Sequence, residues 1–403
     1  MKATLILVGT ELLNGATLDT NSIYMAEEMN KYGIEIEAKL VVRDSIEEIL
    51  SAITYAKSRT ELVIMSGGLG PTLDDLTKTA IAKYLNKKLI VDEKELEELK
   101  NKFKNLEIKF LENNFREVEK PEGAKSFKND VGMAPAIYID GISAFPGVPK
   151  ELYNMFPKFL KWYSENIMSE RDPIYIKDIL TQGIPESHLE EHVKKFFIYE
   201  GIHYEFLVKD YGIVIRLQGR ESNKNRVEKI VEKIYNIISD NIFGEDNERL
   251  ETVVVELLKK LNYNISVAES CTGGLLASKI IDVPGASEVF YEGIVSYSNL
   301  SKISRLNVKE ETLRNCGAVS REVATEMVLG LNSDVAISTT GIAGPTGGTQ
   351  EKPVGLVWIA IKIKDKVYTC KKIFKGDRRK IRERAVLHSL FELIKILKKD
   401  VKQ

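Results

Sequence analysis

Leu62-Val-Ile-Met-Ser-Gly-Gly-Leu-Gly-Pro-Thr-Leu-Asp-Asp75 decides how the first part of this 403-residue chain folds. The apolar run Leu62–Met65 passes straight into a glycine-rich loop, and a helical pattern follows. A run this short, without polar alternation, reads as a strand buried on both faces. Working outward, Ala3–Val8 is a second such run, and Ile34–Val42 is rich in β-branched residues. Between them Asn21–Tyr32 has helical periodicity, with Gly33 where a helix C′ glycine belongs. Ser45-Ile-Glu-Glu48 is a capping box that opens a helix to about Lys57. Strand and helix alternate, so right-handed crossovers build a parallel sheet. Lys94–Lys104 reads as a charged, exposed helix.

Ligands of open α/β sheets bind beyond the carboxyl ends of the strands, where the 66–75 loop must lie. Its glycines let the backbone approach a ligand, and the helix N-terminus behind it suits a phosphate. It is neither a Walker A loop nor a GxGxxG fingerprint. Gly9-Thr-Glu11 and Asp19-Thr-Asn21 follow the first strand and reach the same edge as Asp74 and Asp75. Carboxylates beside a phosphate cradle point to a bridging Mg²⁺. Taken singly, each aspartate reads equally well as a helix cap.

From about Arg171 to Phe243 the pattern is strand (Tyr175–Thr181), helix (Pro185–Phe197), two strands around Asp210-Tyr-Gly212, then a long helix (Ser222–Ile242). This is a small α+β module, and the polar Gly244–Glu248 stretch reads as the next boundary. Within the module, His188 and His192 lie four apart, but the zincin order needs Glu at 189, which is Leu. Polar surface histidines are the better reading.

The last part returns to alternating strands and helices. Ile265–Ala268 is a short strand, Glu269-Ser-Cys-Thr-Gly-Gly274 follows, and Leu275–Ile281 is a helix. Ser270 therefore stands at a strand-to-helix turn, with backbone N–H groups beside it for an oxyanion or phosphate. A serine needs a base to act as nucleophile. His388, on the amphipathic C-terminal helix, reads as structural. Lys302 follows the Tyr291–Tyr297 strand in a first helical turn, where the helix dipole lowers a lysine pKa, although among the domain's many lysines a solvated helix lysine is the ordinary reading. Thr340–Thr349 holds four glycines and a proline, which suits a rigid loop over a ligand. Lys371–Arg384 carries eight basic and two acidic residues, and Arg378 or Arg382 at the helix start could clamp a phosphate.

Composition bounds the function. Hydrophobic residues are 43% and charged residues 29%, near globular averages, so the chain is not disordered throughout. A net charge of −1 gives no whole-protein attraction to nucleic acid or anionic lipid. Three distant cysteines, Cys271, Cys316 and Cys370, with no CxxC argue against a disulfide framework or a cysteine-rich zinc site. The first apolar run is too short for a signal-peptide core, and no run reaches membrane-spanning length. The expectation is a cytoplasmic protein.

Taken together, these strings resemble the competence/damage-inducible protein family CinA over essentially the whole chain. The N-terminal part is similar to the molybdopterin-binding fold through Gly9-Thr-Glu-Leu-Leu-Asn-Gly15, Asp19-Thr-Asn-Ser22, Gly67-Gly-Leu-Gly-Pro-Thr72 with Asp74-Asp75, and Phe145-Pro-Gly-Val-Pro149. The C-terminal part is similar to nicotinamide-nucleotide amidases through Ala268-Glu-Ser-Cys-Thr-Gly-Gly274, Tyr297-Ser-Asn299, Gly341-Ile-Ala-Gly-Pro345, Lys352-Pro-Val-Gly355 and Gly376-Asp-Arg378. The middle module looks like the family's KH-type insert. Leu73 stands where the family often has His, and Ala136 where Gly often follows Ala-Pro.

The resemblance implies a multi-domain α/β protein: a molybdopterin-binding-like domain at 1–170, a KH-like α+β module at 171–245, and an α/β/α amidase domain at 246–403. It implies deamidation of nicotinamide mononucleotide, with Ser270, Tyr297 and Lys302 catalytic and no cofactor. Glu269 is then available to orient Lys302. Thr272, Gly273 and Gly274 would supply the oxyanion site, and Gly341, Ala343, Gly344 and Arg378 would hold the rest of the substrate. It further implies metal-dependent cleavage of ADP-ribose in the first domain. Gly9, Asn21, Gly67, Gly68, Gly70 and Thr72 would bind the ligand, and Glu11, Asp19, Asp74 and Asp75 would hold Mg²⁺ or a similar divalent metal. A homodimer with no membrane or nucleic-acid partner is expected. Two alternatives stay open: an N-terminal domain that binds a pterin or nucleotide without turnover, and a nucleic-acid-associated competence factor. KH recognition needs a GxxG loop, and Gly183-Ile-Pro-Glu186 lacks the second glycine.

Overall fold

The structure, a computed structural model, describes residues 1–169, 172–197 and 201–401. The expected boundary at 170/171 lies outside the described residues. The chain divides into two units, Met1–Tyr175 with Gly219–Lys224, and Ile176–Gln218 with Asn225–Gln403.

In the first unit the sheet order is Glu35–Val42, Lys2–Val8, Leu62–Ser66, Ile142–Phe145, Ala136–Ile139, Lys125–Phe127. The first four strands run parallel, as the alternating pattern requires, and the last two are an antiparallel extension. The central strands are apolar without alternation because both faces are covered. Leu5, Leu7, Leu62 and Ile64 pack against the helices Asn21–Asn30 and Pro149–Asn166. Ile6, Val8, Val63 and Met65 pack on the other side, against Ile46–Lys57 and Thr77–Tyr84.

The C-terminal domain repeats this logic in three layers. Its sheet runs Phe290–Val295, Ile265–Glu269, Val335–Gly341, Leu356–Ile363, Lys366–Ile373, with the first three strands parallel. Val267 and Ile337 face the helices Leu250–Leu261, Leu275–Ile281 and Arg378–Val401. Ala268 and Ala336 face the opposite layer, built on Arg321–Leu329 and Asn299–Leu306. The strand carrying Ser270 at its end is thus flanked on both sides by parallel neighbours.

The middle sheet has the order His203–Lys209, Gly212–Arg220, Ile174–Thr181, Ile242–Glu245. The long helix is Lys224–Ile238, shorter than the pattern suggests. A 3₁₀ turn at Ser239–Asn241 releases the chain, and Ile242 pairs with Thr181 as a strand. Leu180, Val214 and Phe243 share one apolar core with Leu250, Val254 and Leu397 of the C-terminal domain. No helix among the described residues is long and apolar enough to cross a membrane.

Candidate functional site

The strand Ile265–Glu269 ends between two neighbours that lock its exit: Ser270 N donates to Thr339 O at 2.9 Å and Ser296 N to Glu269 O at 2.8 Å. The chain then turns through Gly273 (φ 61°) and Gly274 (φ 91°), left-handed conformations that glycine adopts without strain. The buried Glu269 carboxylate accepts from Gly274 N at 2.9 Å, Leu276 N at 3.0 Å and Ala277 N at 2.8 Å. It satisfies the orphan donors of the next helix. Glu269 therefore caps a helix and does not orient Lys302. It also occupies the Gly274 amide, which leaves the turn with fewer free donors than the expected Thr272–Gly274 set.

Lys302 enters from the helix Asn299–Leu306, which Ser298 caps by accepting from Ser301 N at 3.1 Å. The lysine is 1% exposed. Its Nζ lies 2.9 Å from Ser270 Oγ, 2.7 Å from Ser296 O and 3.4 Å from Tyr297 O. Burial holds its pKa below the ordinary lysine range. The largest cause is desolvation. An ammonium can donate to all three oxygens, and a neutral amine can donate to the two carbonyls and accept from the serine hydroxyl, so the same geometry serves both ends of a proton transfer.

The other expected residues gather around this pair, with one difference. The Tyr297 side chain is 63% exposed, and its hydroxyl accepts from Arg378 Nη2 at 2.9 Å. Lys302 touches only the tyrosine's backbone carbonyl. Arg378 Nη1 donates to Gly344 O at 2.7 Å, tying the 340–349 loop to the same corner. Gly341 ends the strand Val335–Gly341, and Ala343 is buried beside it. The Thr272 hydroxyl pairs with Thr339 Oγ1 at 2.6 Å. Arg382 does not stand free for a phosphate: it grips the Thr272 carbonyl. Cys271 is buried, which pushes its thiol up to about 12. His388 is buried beside Phe374 and Phe391, 3.6 Å from Glu392, and burial pushes it down to about 4.

The first domain places its glycine loop as expected. Gly67 and Gly68 have φ of 108° and 68°, and a Cβ on Gly67 would sit 2.0 Å from Val8 O. Thr77 Oγ1 donates to Gly67 O at 2.8 Å. Asn21 Nδ2 donates to Ser66 Oγ at 3.0 Å and Gly147 O at 2.7 Å, while its buried Oδ1 has no partner among the described residues. Gly9 lies against the Glu11 carboxylate, and Gly70 against Asp75.

The four carboxylates do not form the expected metal set. Asp19 accepts from Ser22 N at 2.9 Å and from Ser22 Oγ, and pairs with Lys39. Asp74 and Asp75 both turn onto the Thr72 hydroxyl, and Asp75 also accepts from Thr72 N at 2.9 Å. Among the described residues no group of three or more His, Cys, Asp or Glu side chains is placed to hold a metal, the His188/His192 helix included. As arranged, Asp19, Asp74 and Asp75 turn to local partners, and with Glu11 they are not gathered into one donor set. Thr72 itself is fixed from behind by Arg116, whose Nη1 donates to Thr72 O at 2.8 Å.

Sequence reasoning missed Lys78. It is 4% exposed, and its Nζ donates to Leu69 O at 3.0 Å, Glu117 O at 3.2 Å and Arg116 O. Burial pushes its pKa down to about 8. The available signal was a lysine at i, i+3 and i+4 spacing with Ile81 and Ala82, on the apolar face of its helix.

Two family models match the chain: "Probable molybdopterin binding domain" over residues 4–165 and "CinA C-terminal domain" over residues 247–397. A CinA-like protein of Fusobacterium nucleatum is 62% identical over 405 residues, covering 100% of both chains. A CinA-like protein of Kosmotoga olearia is 41% identical over 405 residues, covering 97% of each. A solved structure of the competence/damage inducible protein CihA from Agrobacterium tumefaciens is 39% identical, with a TM-score of 0.36, covering 37% of this chain and 93% of its own. The fold and the serine turn define a mixed α/β protein that joins a molybdopterin-binding-like domain to a CinA C-terminal domain. The chain belongs to the CinA family.

Proposed function

We propose that the C-terminal domain is an amidohydrolase that converts nicotinamide mononucleotide to nicotinate mononucleotide and ammonia. The observation that carries this reading is Lys302 Nζ, buried 2.9 Å from Ser270 Oγ with two main-chain carbonyls as its other partners. The neutral amine takes the serine proton as Oγ attacks the carboxamide carbon. The oxyanion forms against the main-chain amides of the turn. The lysine then hands its proton to departing ammonia, and water, deprotonated the same way, releases the acid and frees Ser270. Cys271 is set aside as nucleophile because it is Ser270 Oγ, and not the buried thiol, that Lys302 Nζ meets at hydrogen-bond distance. Arg378, with Tyr297 as its partner, offers the positive group for the remote phosphate. Tyr297 acts by placing Arg378, which replaces the expected proton relay.

A second reading, that the N-terminal domain takes ADP-ribose, is favoured by the Gly67–Gly68 cradle and the unpartnered Asn21 Oδ1 beside it. Cleavage of its pyrophosphate there would need a divalent metal, which Glu11 and, turned from their present partners, Asp19, Asp74 and Asp75 would have to hold. The expected setting is a cytoplasmic homodimer acting on free nucleotides. The test is to incubate the purified protein with nicotinamide mononucleotide and ADP-ribose separately and identify the products. Ammonia and nicotinate mononucleotide support the first reading, and their absence overturns it.

A further inference from the structure

Arg382 stands one helical turn beyond Arg378 on the helix Arg378–Val401, and its guanidinium is spent differently. Nε and Nη2 lie 3.2 Å and 2.7 Å from a single acceptor, the Thr272 carbonyl oxygen. A Cβ on Gly273 would sit 3.4 Å from Nη2, so the guanidinium lies close against this peptide. That oxygen belongs to the Thr272–Gly273 peptide. A trans peptide points its C=O and N–H in opposite directions. Holding the oxygen therefore fixes the line along which the Gly273 N–H points.

The turn needs such a tie. Gly273 and Gly274 are consecutive glycines in left-handed backbone, the least restrained of residues. Glu269 holds the Gly274 side of the turn, and the Thr272 hydroxyl holds the other through Thr339. The peptide between them is held by Arg382, with a weaker contact from Leu275 N at 3.3 Å. A cationic donor on the carbonyl also polarises the amide and strengthens its N–H as a donor.

We infer that Arg382 is a positioning residue, which orients and polarises the Gly273 N–H as the oxyanion donor for the intermediate formed at Ser270. The inference rests on the amide-hydrolysis reading above. It differs from a substrate clamp, because the guanidinium acts through the main chain.

The experiment compares full-length wild type, Arg382→Met and Arg382→Lys in two assays. One is steady-state ammonia release from nicotinamide mononucleotide. The other is the rate at which a small uncharged fluorophosphonate labels Ser270, which uses the oxyanion site but needs no nucleotide. In Arg382→Met, kcat should fall about 10²-fold, the cost of a misplaced catalytic group. KM should stay within about threefold, and labelling should slow in parallel. Arg382→Lys, with one point donor in place of the fork, should recover part of the loss. A raised KM with unchanged kcat would show a substrate contact and overturn the inference, as would no change in either assay. Should Arg382→Met not fold, the kcat and labelling rate of Arg382→Lys decide. If wild type labels Ser270 yet releases no ammonia, the substrate reading falls and the labelling comparison alone judges Arg382. If wild type does neither, the inference falls with it.

Discussion

Two buried lysines sit beside two glycine-rich turns in this protein, and each makes three polar contacts. Lys78 donates to the carbonyls of Leu69, Arg116 and Glu117. Lys302 meets the carbonyls of Ser296 and Tyr297 and the hydroxyl of Ser270. The difference is one acceptor. A carbonyl can only receive a hydrogen bond, whereas a hydroxyl can surrender a proton. Lys78 is thus suited to fasten the loop after the third strand to the segment at 116–117. Lys302 has the same burial and a partner it can activate. A depressed lysine pKa by itself does not mark a catalytic site; the chemistry of the third partner does.

The comparison breaks first at Ser270. Ser270→Ala should lower ammonia release by about 10⁶-fold, the scale seen when a nucleophile is deleted. Its melting temperature should stay near wild type. A variant that retains more than a few per cent of activity would remove the serine from the mechanism.

Lys78→Met should leave deamidation unchanged and lower the stability of the first unit by about 1–3 kcal/mol, because buried carbonyls lose their donor. Thermal unfolding followed with ammonia release separates the two effects. The pH dependence sharpens this. Lys78 titrates near 8 when folded, below the lysine value of about 10.4 when unfolded. Between those values the unfolded chain binds more protons, so Lys78 makes stability rise with pH across that window. Denaturant titrations from pH 8 to 10 should show that rise in wild type and a flatter profile in Lys78→Met. Equal profiles would show that the lysine is not depressed.

Arg378→Gln should raise KM for nicotinamide mononucleotide about tenfold, the loss of one charge-assisted contact to phosphate, with kcat less affected. The same variant should bind nicotinamide riboside, which lacks the phosphate, as wild type does. An equal loss for both ligands would place Arg378 away from the phosphate. Cys271→Ala is the smallest expected effect. Activity should stay within about threefold, because a buried neutral thiol supplies packing rather than chemistry. Loss comparable to Ser270→Ala would reverse the nucleophile assignment.

Much of this was legible in the sequence, for identifiable reasons. The buried strands were, because an uninterrupted apolar run has few other readings when both sheet faces are covered. Ser270 was, because a strand, a short polar turn and a helix fix its place. Ile242–Glu245 was not: Ile242 continues the apolar periodicity of the helix before it, and only the Ser239–Asn241 turn reveals the break. The carboxylates of the first domain were placed on the right edge, but their partners were invisible. Thr72 and Lys39 are local choices of side-chain rotamer that no spacing encodes. Glu269 was misread for the same reason. The unpaired N–H groups of the next helix offer its carboxylate three bonds, which a single lysine cannot match.

The central claim is that Lys302 works as a neutral amine on Ser270. The pH profile of ammonia release from nicotinamide mononucleotide, measured for wild type and Lys302→Arg, tests it most directly. The wild-type rate should rise with pH through one ionisation below about 10.4, since the deprotonated form is the active one. Lys302→Arg should stay at background at every pH, because a guanidinium keeps its proton. Substantial activity in the arginine variant, or a wild-type rate that falls as pH rises through that ionisation, would contradict the account.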